Sequence, residues 1–100
     1  MGRTRFGVQV GAAQSGAAWL QRAREIEALG YDALLVADHA VGGGLAYSPS
    51  LAAAATVTSR LRLGTLVLAN DFRNPLLVAR EALTVDLLSD GRFELGLGAG

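Results

Sequence analysis

The chain contains no cysteine and no lysine, a single histidine (His39), two prolines and six aromatic residues in 100. Without cysteine it forms no disulfide, thiolate metal site or thiol nucleophile. Without lysine it has neither a P-loop lysine nor a Schiff-base lysine, since all nine basic residues are arginine. One histidine cannot make a His-x-His or HExxH zinc pair, so no metal site is expected. No apolar run approaches the roughly 20 residues that span a bilayer. The basic start, Met1 to Arg5, leads into a short strand-like segment rather than a secretory core. Nine acidic residues balance the nine arginines, which gives no electrostatic reason to expect nucleic acid or a membrane surface as a partner. A soluble, cytoplasmic protein is the default expectation.

What remains is apolar. Hydrophobic residues make up 51% of the chain, enough for a core, and they fall into alternating strand and helix patterns. Phe6–Val10 reads as a first strand, and Ser15 as an N-cap. Trp19, Ala23, Ile26 and Leu29 then recur at helical spacing up to Gly30, a C-terminal left-handed position. Ala33–Ala37 is apolar throughout, as a buried parallel strand should be. A loop with Gly42, Gly43 and Gly44 follows, read as a flexible tip. Ser48-Pro49 opens a second, alanine-rich helix extending to about Ser59. Leu61–Ala69 is a third strand, Asn70–Arg73 a turn, and Asn74-Pro75 a second cap-plus-proline signal. The third helix reaches about Leu88, with Leu76, Ala79, Leu83 and Leu87 on one face. Asp90-Gly91 turns the chain into a fourth strand, Phe93–Leu97.

Alternating strands and helices predict βαβ units in a parallel sheet, one α/β domain over residues 1–100. A (β/α)8 barrel and an open doubly wound sheet both fit. The barrel is preferred because the glycine cluster follows the fourth strand, whereas dinucleotide binders place theirs after the first. A barrel takes about 250 residues, so the chain reads as its first three βα units and fourth strand, a piece expected to be inactive alone.

In either architecture ligands bind outside the carboxyl ends of the strands. Gly11 to Gln14, Asp38-His39, Asn70 to Arg73 and Gly98 to Gly100 fall there. A histidine beside a carboxylate serves proton transfer near neutral pH; equally, Asp38 caps a turn and His39 is an ordinary loop residue. Asp71 with Asp38 would make a hydrolase's carboxylate pair, although an internal ion pair or Asx-turn is the commoner use of Asp71 and Arg73. Arg73 also suits a phosphate or carboxylate. Gly96-x-Gly98-x-Gly100 permits close approach of a planar or phosphorylated ligand, or else serves close helix packing or a simple tight turn.

Three segments carry a resemblance: Gly30-Tyr-Asp-Ala-Leu-Leu-Val-Ala-Asp-His39, Arg62-Leu-Gly-Thr-Leu-Val-Leu-Ala-Asn-Asp-Phe-Arg-Asn-Pro75 and Leu88-Ser-Asp-Gly-Arg-Phe-Glu-Leu-Gly-Leu-Gly-Ala-Gly100. Together they resemble the luciferase-like monooxygenase superfamily, in its branch of deazaflavin (coenzyme F-420)-dependent oxidoreductases. The resemblance implies a luciferase-like TIM barrel that binds F-420 and moves a hydride between cofactor and a small organic substrate, or alternatively binds FMN and activates oxygen as a monooxygenase. It implies His39 near the ring's reactive carbon, with Asp38 as its acidic neighbour. It implies a non-prolyl cis peptide at Leu66–Val67 forming a bulge behind the ring, with Ala69, Asn70, Gly98 and Gly100 also lining the cofactor. Some relatives have a hydroxyl residue where Ala69 stands, so that side-chain hydrogen bond is missing here. A homo-oligomer is the expected state of the full-length protein. A hydrolase on the same barrel and an inactive fragment are the competing readings.

Overall fold

The computed structural model describes residues 3–39 and 43–99, so the expectations for Gly42 and Gly100 lie outside the described residues. Ser15 caps helix α1 (Gly16–Ala28) as expected, its hydroxyl accepting the Ala18 N–H at 3.0 Å. Gly30 takes a positive φ of 91° at the helix end. Trp19, Ala23 and Ile26 are buried, and the Trp19 indole N–H donates to the Ser50 carbonyl at 2.8 Å. Leu29, expected on the same face, is the C-cap and is exposed. The helix ends before it completes that turn.

Strands β1 (Gly7–Gln9), β2 (Ala33–Val36), β3 (Arg62–Thr65) and β5 (Phe93–Glu94) pair in parallel in that spatial order, with Gln9, Leu35, Gly64 and Glu94 in register. The third strand does not run unbroken. Beyond Thr65 the chain passes through Leu66 and Val67, joined by a cis peptide as the resemblance implied, and resumes as β4 (Leu68–Ala69). The fourth strand is likewise interrupted and resumes as β6 (Leu97–Gly98), parallel to β4.

Helices α2 (Tyr47–Ala55) and α3 (Pro75–Leu88) complete the layer. Alternate strand residues Leu34, Val36 and Leu63 join Trp19, Ile26, Tyr47, Leu51, Val78 and Val85 in one core between sheet and helices. Gln9, Leu35, Arg62 and Glu94 alternate onto the other face. Helices on one face only are the arrangement of a barrel wall; a doubly wound sheet is covered on both.

Two helices depart from the sequence reading. Helix α2 begins at Tyr47 and ends at Ala55, and the Ser48 hydroxyl donates to Glu81 instead of capping. Helix α3 is capped by Asn74 with Pro75 in its first turn, as expected, but it buries Val78 and Val85 while Leu76, Ala79, Leu83 and Leu87 are exposed. Its apolar residues lie all round, so periodicity could not choose between two stripes. Val78 and Val85 are buried because they join the core, where α3 packs against α2 and β5.

The amino ends of the strands are held by polar groups with no part in the opposite rim. Arg92 is 8% exposed. Its guanidinium donates to the carbonyls of Ser89, Leu61, Ala55 and Thr58 and to the Thr58 hydroxyl, at 2.6–3.2 Å. A cation among carbonyls that include the last of α2 complements the helix dipole. Glu27 accepts the N–H groups of Ser59, Arg60 and Leu61, tying α1 to the entrance of β3. Burial pushes its carboxyl up, but the three amide donors outweigh this and hold it below the ordinary value.

In the full-length protein, Arg92→Met should destabilise folding by about 3 kcal/mol, because each buried carbonyl left without a donor costs about 1–3 kcal/mol; urea denaturation measures this. Because the folded-state pKa of Glu27 is depressed, its contribution is present above the unfolded value of 4.5 and is lost as pH falls through the folded one. Glu27→Gln should therefore be less stable than wild type at pH 7 and converge with it toward pH 3. A stability gap independent of pH would contradict this account of Glu27.

Candidate active site at the carboxyl ends of the strands

At the carboxyl end of β2 the Asp38 carboxylate is almost enclosed, its side chain 7% exposed. Arg73 grips it at two points: Nε donates to Oδ2 at 2.9 Å and Nη2 to Oδ1 at 2.6 Å. The backbone N–H of Ala69 adds a third donor to Oδ2 at 2.9 Å. The Asp38 amide in turn donates to the Val67 carbonyl at 3.3 Å. This one residue therefore holds both sides of the Leu66–Ala69 segment. The Arg73 hydrogen bonds, together with that of Ala69, hold the Asp38 carboxyl below its usual range despite burial. It is an anion at neutral pH with its lone pairs largely engaged.

The ion pair expected within the third turn thus forms with Asp38 rather than Asp71, which lies exposed on the 3-10 turn Asn70–Phe72. A carboxylate gripped in this way cannot carry the proton a hydrolase's acid needs, so the carboxylate-pair reading loses its support.

His39 follows directly and is exposed. Asn70 is exposed at the start of the 3-10 turn, and Ala69 is buried. Leu66 and Val67 are 48% and 41% exposed, an apolar ledge beyond the end of β3. The Gln9 side-chain amide donates to the Leu66 carbonyl at 3.2 Å, placing Gln9 of β1 beside the ledge. Asp38, His39, Gln9, Leu66, Val67, Ala69 and Asn70 thus share one rim.

Gly96 and Gly98 complete the ledge from behind. A Cβ at Gly96 would overlap the Thr65 carbonyl oxygen, and one at Gly98 would overlap a Val67 methyl. The buried Thr65 hydroxyl accepts the Gly96 N–H and donates to the Gly96 carbonyl, both at 2.8 Å. Gly64 is confined in the same way, with a Cβ there 2.6 Å from the Glu94 carbonyl. These glycines are required by close packing of neighbouring strands and the ledge, rather than by the helix packing or tight turn that is the alternative reading of the Gly-x-Gly pattern.

Sequence reasoning missed Tyr47, Glu81 and Gln9. Tyr47 is 1% exposed, its hydroxyl donates to Glu81 at 3.1 Å, and the Arg73 guanidinium carbon stands 5.1 Å from its ring centre. Burial and Glu81 push the Tyr47 phenol up to about 12. The only available signal was an aromatic residue next to a Ser-Pro helix start.

Gly96→Ala should cost about 1–3 kcal/mol, as overpacking does, whereas Gly16→Ala, with open space at the start of α1, should be neutral or slightly stabilising. Thermal denaturation of the two variants in the full-length protein separates them; equal melting temperatures would refute the packing role of Gly96.

Comparison with known proteins bears on this rim. A family model of luciferase-like monooxygenases matches residues 2–100. The chain is 43% identical over 84 residues to 4-hydroxyprotoasukamycin monooxygenase of Streptomyces nodosus subsp. asukaensis, covering 81% of this chain and 23% of that protein. It is 36% identical over 104 residues to the F420-dependent glucose-6-phosphate dehydrogenase of Kribbella flavida, covering 96% and 31%. Among solved structures, the coenzyme F420-dependent tetrahydromethanopterin reductase of Methanopyrus kandleri superposes with a TM-score of 0.89 at 26% identity, covering 99% of this chain and 28% of that one. A monooxygenase of Streptomyces bottropensis gives 0.83 at 30% identity, covering 97% and 33%. The chain therefore spans less than a third of the length of these curated relatives. Its sheet and helices form an arc of the luciferase-like TIM barrel. On the family match and the barrel arc, the chain belongs to the luciferase-like monooxygenase family.

Proposed function

We propose that the protein carrying this chain is an oxidoreductase that transfers a hydride between the deazaflavin F-420 and a small organic substrate. The observation that carries the reading is the half-exposed Leu66–Val67 ledge, flanked by Asp38-His39 on one side and backed by side-chain-free Gly96 and Gly98. An apolar step without projecting side chains behind it fits the face of a planar ring, and polar groups along its edge fit a heterocycle's rim. A deazaflavin, when bound, supplies two-electron hydride chemistry at a ring carbon.

The chain's own residues do the rest. Leu66 and Val67 present the apolar face. Gly98 lets Val67 sit where it does, and Ala69 keeps the wall low beside it. The Asn70 amide offers a hydrogen-bonding group at the edge. His39 holds or takes up the proton that accompanies hydride movement, the general acid-base task an imidazole performs. Asp38 is the fixed anion next to it, held by Arg73 and the Ala69 amide and not itself exchanging a proton. Gly100 belongs to the same assignment by resemblance alone.

F-420 is favoured by the F420-dependent relatives, which align over nearly the whole chain. The monooxygenase reading, with FMN in place of F-420, has its own support in the 43% identical monooxygenase. Titrating both cofactors into one preparation of the full-length protein separates the two: F-420 should bind at least about tenfold more tightly, a difference of about 1.4 kcal/mol. Tighter FMN binding would transfer the assignment to the second reading.

His39→Ala should lower turnover by about 10²–10⁴-fold, the usual worth of a general acid or base, while leaving the cofactor dissociation constant within about threefold. Turnover equal to wild type would remove His39 from the reaction.

A further inference from the structure

We propose that Arg73 is the positioning residue of this site: its guanidinium holds both ends of the connection between β2 and α2, and so fixes His39 against the Leu66–Val67 ledge. The inference rests on the role given to His39 above.

Arg73 meets the start of that connection at Asp38, by the two-point contact of 2.6 and 2.9 Å. It meets the end at Tyr47, whose ring centre lies 5.1 Å from the guanidinium carbon, inside the range of about 6 Å over which a cation is drawn to an aromatic face. Each of these partners is anchored independently. Asp38 is bonded to Val67 through its amide and to Ala69 through its carboxylate. Tyr47 is buried, stacks on Phe93 with ring centres 6.4 Å apart, and donates to Glu81, which also accepts the Ser48 hydroxyl. Arg73 is thus the side chain that joins the ledge side of the site to the helix side.

His39 is the residue after Asp38, about 3.8 Å along the chain, so a shift of the Asp38 backbone also moves the His39 backbone. A planar fork that also stacks on a ring is specific to arginine; lysine offers a point charge and no plane. The charged and titratable groups around Asp38 are Arg73, the adjacent His39 and the Tyr47 phenol, with Glu81 beyond the phenol. The Arg73 hydrogen bonds are the largest influence keeping Asp38 ionised.

The test uses Arg73→Lys, Arg73→Met, Asp38→Asn and the double variant Asp38→Asn/Arg73→Met in the full-length protein. Turnover, KM, cofactor dissociation constant, the pH profile of kcat and amide exchange at Ala69 are measured. Arg73→Met should lower kcat by about 30–100-fold, the scale of a misplaced catalytic group, with the cofactor dissociation constant within about threefold of wild type. Its acid limb should move to higher pH, because Asp38 then protonates more readily. Arg73→Lys should restore only part of kcat. The double variant should be no slower than Arg73→Met, since both changes break one contact.

Wild-type kcat in Arg73→Lys, or a cofactor dissociation constant that weakens in step with kcat, would overturn the proposal. If Arg73→Met does not fold, Arg73→Lys decides alone. Exchange is read without cofactor: the Ala69 amide should exchange faster in Arg73→Lys, and unchanged exchange also overturns the clamp. Should wild type bind neither F-420 nor FMN, the functional reading fails while the exchange result still judges the clamp.

Discussion

A carboxylate at the end of a buried strand is the constraint on which this rim depends. Asp38 has almost no contact with water, and an ion so placed persists only if protein donors replace its hydration. It draws those donors from two pieces of chain, Arg73 in the turn before α3 and the Ala69 amide of β4, while its own N–H donates to the Val67 carbonyl. Satisfying one charge therefore fixes the relative positions of β2, the ledge and the third turn. The same contacts explain why Asp38 and Asp71 are not a catalytic pair. The first is engaged within the protein, and the second is exposed on the 3-10 turn.

The ledge depends on a second constraint, which is steric. Leu66 and Val67 leave the line of β3, and the neighbouring strand must come close enough to support them. Side chains at 96 and 98 would prevent that, and the Thr65 hydroxyl, bonding both backbone groups of Gly96, sets the spacing. Polar satisfaction on the Asp38 side and close packing on the glycine side thus support one apolar surface from opposite directions.

The two ends of the sheet divide the work. Around the amino ends, Arg92 and Glu27 bind backbone carbonyls and amides, so that helix ends and strand entrances lock together. Arg5 and Arg62 share Glu94 on the open face near that end, and Arg3 pairs with Asp32. Around the carboxyl ends the polar groups bound an exposed apolar step. Barrels in general separate stability from chemistry in this way, and the division tells against a catalytic role for the arginines of the lower rim.

Much of this was legible in the residues. Ser15, Gly30, Asn74 and Pro75 announce helix boundaries because caps and left-handed turns depend on local chemistry, and all four hold. The apolar strands and their alternation with helices announce a parallel sheet. The position of Asp38-His39 at a strand end, and the family resemblance, place the rim. The rest needed long-range contacts. The face that α3 buries was hidden because its apolar residues lie all round, and only packing against α2 and β5 selects Val78 and Val85. The Arg73–Asp38 pair spans 35 residues and the Tyr47–Glu81 contact 34, and no local pattern encodes which cation meets which anion. The Gly96-x-Gly98 pattern could not show that side chains there would strike the Thr65 carbonyl and a Val67 methyl, which only the folded strands bring close. Local chemistry decided where elements begin and end; only the folded sheet, by bringing distant charges and backbones within a few ångströms, decided what each polar residue does.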